Sequence, residues 1–81
     1  MTKGEYRVGI TFNPSNDDIV GKIKRAAADL IDLIDSIEEH PAQLDMRFSE
    51  IKRLKALAQT AIEDAAMWAV KAATKPAFTN S

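Results

Sequence analysis

The side chains in this chain that could do chemistry are its carboxylates and its cations. Asp29, Asp32 and Asp35 recur every three residues, and Glu38 and Glu39 follow. On a helix that spacing sets the three aspartates along one polar side. Two carboxylates at the right separation can share acid–base work, but the same spacing is ordinary decoration of a solvated face, and we read it so. No Ser-His-Asp set, cysteine nucleophile or phosphate-cradling glycine loop accompanies them. Cysteine is absent and His40 is the single histidine, which argues against thiolate and histidine-based metal sites and removes disulfides. Glu63 lies one turn before Met67 on an alanine-rich segment, where it suits an interhelical hydrogen bond better than catalysis. The expectation is a protein that is not an enzyme and needs no cofactor or metal.

The cations fall in groups. Lys22, Lys24 and Arg25 crowd one stretch, with Arg7 upstream; Lys52, Arg53 and Lys55 form a second group, and Lys71 and Lys75 a third. Phe12-Asn13-Pro14 lies shortly before the first group. An aromatic ring can stack on a base, an amide both donates and accepts, and Lys or Arg pairs with phosphate. These groups together would suit a small phosphate compound such as a nucleotide. Two plainer readings stand beside that one: lysines paired with neighbouring acids, and an arm that is an ordinary lid on the core. Formal net charge is -1 and the pI about 5.7, so no strong basic face is offered to long nucleic acid.

The elements that must position these groups are helices. Ser15, followed by Asp17 and Asp18, reads as an N-cap with acidic residues at the positive end of the helix dipole. From there Ile19, Ile23, Ala26, Leu30, Ile34 and Ile37 recur in steps of four and three, widened by Val20, Ala27, Ile31 and Leu33. Gly21 inside this run is either a tolerated surface glycine or a point of close approach. His40-Pro41 ends the run. A second amphipathic run carries Phe48, Ile51, Leu54, Ala58, Ala61, Ile62, Ala65, Trp68, Ala69 and Ala72, with Trp68 read as core, and Pro76 stops it. The expected fold is all-α: an antiparallel two-helix hairpin over 15–76, with helices at about 16–39 and 44–75. A short N-terminal arm, 1–14, precedes it, with Tyr6–Phe12 extended by its alternation, and a tail, 77–81, follows. The antiparallel return brings Lys22, Lys24 and Arg25 towards Lys71 and Lys75, making one end locally positive.

Two helices cannot enclose a core, and a chain of 81 residues buries only about 60–65 % of its unfolded surface. The surplus apolar positions Ile31, Leu57, Met67 and Val70 should therefore meet other subunits, the arm, or both, in a homo-oligomeric helical bundle. No run of 18 apolar residues would span a membrane, and Met1–Tyr6 lacks the apolar core of a signal peptide.

Several stretches resemble a known family: Phe12-Asn13-Pro14-Ser15, Ile23-Lys24, Ala28-Asp29-Leu30-Ile31-Asp32, Arg53-Leu54, Ala58-Gln59-Thr60, Glu63, and the run Ala66 to Lys75. The chain resembles, over roughly residues 6–76, the helical-hairpin domain shared by phage anti-defence sponges. These counter CBASS immunity by sequestering cyclic di- and trinucleotides, or Thoeris immunity by sequestering cyclic ADP-ribose isomers. The resemblance implies hairpin subunits assembled as a homo-oligomer, commonly a hexamer, in the cytoplasm of the infected bacterial host. It implies binding without cleavage, with cyclic dinucleotides between paired subunits against the arm and the start of helix one. Lys24 matches the family's ligand-contacting lysine, and Phe12 is the candidate stacking aromatic, with Tyr6 as the other choice. Arg7, Asn13 and Pro14 join them in the candidate site. Arg53 or Lys71 would serve separate cyclic trinucleotide sites between dimers. Thoeris-type sponges carry an additional segment that a chain of this length does not hold, which puts the expectation closer to the compact cyclic-oligonucleotide binder. The competing classes are a cyclic ADP-ribose sponge, a structural or regulatory oligomerisation module, and a nuclease or phosphodiesterase.

Overall fold

The computed structural model of the protein describes residues 1–14, 16–39 and 46–78. Thr2 opens the first helix, α1 (Lys3–Val8). Its hydroxyl accepts the Glu5 N–H at 3.1 Å, and the Glu5 carboxylate accepts the Thr2 N–H at 2.8 Å. This reciprocal capping box satisfies two donors that a helix start leaves open. Gly9 ends α1 in the left-handed region, φ 64° and ψ 55°, which a residue without Cβ adopts at little cost. The extended reading of Tyr6–Phe12 is thus wrong. Both helix caps are local, whereas an extended segment here has no neighbouring strand to bond among the described residues.

The second helix is α2 (Asp18–Asp35). Its N-cap is Asp17, whose carboxylate accepts the Ile19 N–H at 3.1 Å; Ser15, the expected cap, lies outside the described residues. Asn13 braces this start, its Oδ1 accepting the Asp17 N–H at 3.1 Å and its Nδ2 donating to the Asp17 carbonyl at 2.9 Å. α2 stops at Asp35, short of the expected residue 39. The Ser36 hydroxyl donates to the Leu33 carbonyl at 2.5 Å, and Lys55 reaches in from the next helix. The Lys55 ammonium donates to the carbonyls of Asp35 (3.0 Å) and Ile37 (2.7 Å) and to the Glu39 carboxylate (2.9 Å). A cation there meets the negative end of the helix dipole as well as its open carbonyls. The expected stop at His40-Pro41 falls outside the described residues.

The third helix, α3 (Met46–Ala73), has 28 residues and so runs about 42 Å. Its contacts fix an antiparallel course beside α2: Lys55 meets Asp35, Gln59 meets Ile31, and Val70 shares a cavity wall with Val20 and Lys24. The apolar core between the helices is thin, made of Val20, Ala28, Ile31 and Ala66. Ile31 is wholly enclosed, in keeping with the alternative in which the arm folds back: α1 packs on α2 at Ala28 and Asp32. α1 docks backbone to backbone: a Cβ on Gly4 would overlap the Ala28 carbonyl and lie 2.8 Å from Asp32 Oδ1. The Gly4 N–H donates to that same oxygen at 2.7 Å. Gly21, by contrast, has ordinary van der Waals room. Trp68 is not core. It is 62 % exposed, with the Lys71 ammonium 5.3 Å from its ring centroid. Leu54, Leu57, Ala61 and Trp68 share one exposed face of α3.

Candidate functional site

Lys24 stands at the centre of the site. It points from α2 under the turn that follows α1 and is only 7 % exposed. Its ammonium donates to the Gly9 carbonyl at 3.0 Å and to the Phe12 carbonyl, and lies 5.4 Å from the Phe12 ring centroid. A buried ammonium needs such acceptors, and the turn supplies them through its backbone. The Phe12 ring itself is 71 % exposed.

Two cavities adjoin Lys24. One, of about 290 Å³, is lined by Arg7, Val8, Glu63, Ala66 and Met67 together with Lys24 and Val70. The other, of about 260 Å³, is lined by Phe12, Asn13, Pro14, Val20 and Thr74, again with Lys24 and Val70. In the first, Arg7 Nε donates to Glu63 Oε1 at 2.9 Å and Arg7 Nη2 to the Thr60 hydroxyl at 3.4 Å. The structure therefore brings Arg7, Phe12, Asn13, Pro14 and Lys24 around two adjoining cavities. It does not bring Arg53 or Lys71 to them. Arg53 pairs with Glu50 on α3 at 2.5 Å and holds that carboxyl below its ordinary range, and Lys71 lies over Trp68.

Two of the cations at the expected positive end are paired with acids. Lys22 pairs with Asp18 at 3.1 Å, and Arg25 pairs with Glu5 and with Asp29, each at 2.8 Å. The Arg25 hydrogen bond, followed by the Thr2 N–H, holds the Glu5 carboxyl down to about 2. The aspartates are committed in the same way. Asp29 takes Arg25 and Asp32 takes the Gly4 N–H. Asp35 accepts from Lys3 at 3.0 Å and from Gln59 at 3.4 Å, and the Lys3 bond is the main cause of its lowered pKa. Glu63 does accept a bond between elements, from α1. Among the described residues no cluster of three or more His, Cys, Asp or Glu could hold a metal, and no helix is long and apolar enough to cross a membrane.

Sequence reasoning missed Val70 and Thr74 as cavity walls, and Gly4, Lys55 and Gln59 as positioning groups. Gln59 is almost fully buried, donates to the Ile31 carbonyl at 3.1 Å and accepts from Lys3 at 3.1 Å.

Cations and an exposed ring beside partly apolar cavities, with the carboxylates held in structural bonds, define a small all-helical binding subunit. The family model described as "Acb2/Tad1, hairpin domain" matches residues 4–74. The chain belongs to that family, whose members are phage anti-defence sponges, anti-CBASS and anti-Thoeris. It is a non-catalytic sponge for cyclic oligonucleotide immune signals. No curated protein and no solved structure matches the chain.

Proposed function

We propose that the protein sequesters cyclic dinucleotides in the paired cavities around Lys24, as a homo-oligomer working in the cytoplasm of the infected bacterial host and blocking CBASS effector activation. The observation that carries this reading is the shared wall. Each cavity alone, at about 290 and 260 Å³, falls just below the roughly 300–1,000 Å³ of small-molecule sites. The two lie side by side with Lys24 and Val70 in both walls. A ligand with two bases and two phosphates suits such a two-lobed site: Lys24 and Arg7 meet charge, and Phe12 offers a ring for stacking. Asn13 and Pro14 set the course of the loop. In this reading residues 1–14 are the arm that lines the site and 15–76 the hairpin that carries it.

Arg53 and Lys71, exposed on α3, are the candidates for separate cyclic trinucleotide sites at subunit junctions. A hexamer is the assembly that the family resemblance implies.

Calorimetric titration of the whole chain with cyclic di- and trinucleotides, and with cyclic ADP-ribose isomers as a third arm, tests the reading. Ligand should be recovered intact after the protein is denatured. No binding to any arm at micromolar protein would sink it. Binding of the ADP-ribose isomers alone would move the target to Thoeris signals, and recovery of linear product would make the protein an enzyme.

A further inference from the structure

We propose that the outer side of α2 is a contact between copies of this chain, with a second copy lying antiparallel along it; the inference rests on the homo-oligomeric reading above and names one of its surfaces. The inward line of α2 is Val20, Lys24, Ala28 and Ile31, all buried. About half a turn round the helix run Ile19, Ile23, Ala26, Leu30 and Leu33, with Ile37 just past its end. Ile19, Leu30, Leu33 and Ile37 are between 45 and 66 % exposed. α1 packs at Ala28 and Asp32, and α3 reaches Ile31, both on the other side of the helix.

Spacing, charge and area together select a second copy as the occupant. The steps along the stripe are four, three, four, three and four, the seam of a coiled coil, and they read the same in both directions. An antiparallel copy therefore sets Ile19 against Ile37, Ile23 against Leu33 and Ala26 against Leu30, so that the one small residue faces a large one. A parallel copy would set Ala26 against itself and leave a gap at the centre. No charged residue interrupts the stripe. Lys22 and Asp29 on its flank are paired within the chain, with Asp18 and Arg25, so the contact strands no lone charge. The outer half of a helix about 27 Å long and about 11 Å wide offers roughly 470 Å². Two copies give about 930 Å² even as smooth cylinders, close to the roughly 1,000 Å² that a specific interface needs.

The chain has no cysteine, so introduced ones report alone. An Ile23→Cys, Leu33→Cys double variant, oxidised in dilute solution, should run as a covalent dimer on a non-reducing gel, and neither single variant should. Disulfide-bonded Cα atoms lie within about 7 Å, whereas ten helical residues span about 15 Å, so the two cysteines cannot close within one chain. As a second variant, Leu33→Glu should keep its helical circular dichroism and give a smaller species by light scattering than the parent. Single-cysteine variants that crosslink as well as the double one, a double variant that stays uncrosslinked, or a Leu33→Glu variant of unaltered size overturns the assignment. Leu33→Glu decides it where the double variant does not fold. Calorimetry of the unsubstituted chain with cyclic dinucleotides separates this inference from the sponge reading. Binding without crosslinking overturns the contact alone, and crosslinking without binding overturns the sponge reading alone.

Discussion

Lys24 and Gly4 show how differently two residues can be read from sequence. Lys24 is singled out by the family resemblance, and in the structure it sits under the turn that follows α1. Its immediate partners, however, are the backbone carbonyls of Gly9 and Phe12, and no side-chain pattern announces a backbone acceptor. Asn13 is similar: its amide is a plausible base reader by type, but both of its ends are engaged by Asp17. Gly4 gives no local signal at all. Its role comes from the Ala28 carbonyl on another helix, where a Cβ has no room. Gly4→Ala should therefore destabilise the fold, by about 1–3 kcal/mol as for other overpacked sites, because the obstacle is a helix backbone and cannot rotate away. Thermal unfolding of the variant checks this, and an unchanged melting temperature would show that α1 is not docked so closely.

At the scale of elements, α2 and α3 are legible because an apolar period of 3.6 repeats over many turns. α1 is too short for a period to emerge. Its readable mark is the Thr2-x-x-Glu5 capping box, which the alternation over Tyr6–Phe12 outweighs. The polar bonds that fasten α1 also make it sensitive to acid. Glu5 is ionised in the fold down to about pH 2, chiefly through Arg25, against an ordinary value of 4.5. A depressed carboxyl pKa means that the unfolded chain binds the proton first as pH falls. The contribution of Glu5 is then fully present above about 4.5 and is lost as pH falls towards about 2. Melting curves of the protein and of Glu5→Gln should differ at neutral pH and converge across that window; a constant gap down to pH 2 would contradict the Glu5–Arg25 coupling. Asp35 and Glu50, also lowered, act in the same direction in both proteins.

On the scale of the whole molecule, α1 changes the accounting of apolar surface. Ile31, which the sequence leaves to another subunit or to the arm, is enclosed within the chain, while Trp68, expected inside, lies on the outside with Leu54 and Leu57. The apolar period of α3 marks which residues share a face but not which face meets α2. Burying a large apolar side chain is worth about 1.5–3 kcal/mol, so this face can support self-association. A Leu57→Glu, Trp68→Glu double variant should keep its helical circular dichroism and fall to a smaller species by light scattering. A monomeric parent protein, or an unaltered assembly, would remove this face from the interface.

The hold of Lys24 on the turn bears on timing. In the proposed site, a phosphate on this ammonium would have to take it over from the Gly9 and Phe12 carbonyls, so capture would be an exchange of partners. Phe12 belongs to the same turn, and its exposed ring stands beside that ammonium. Arrival and escape would then depend on the same exchange. For a protein that works by withholding a messenger, dwell time matters, and most of the variation in affinity among related complexes lies in the rate of release.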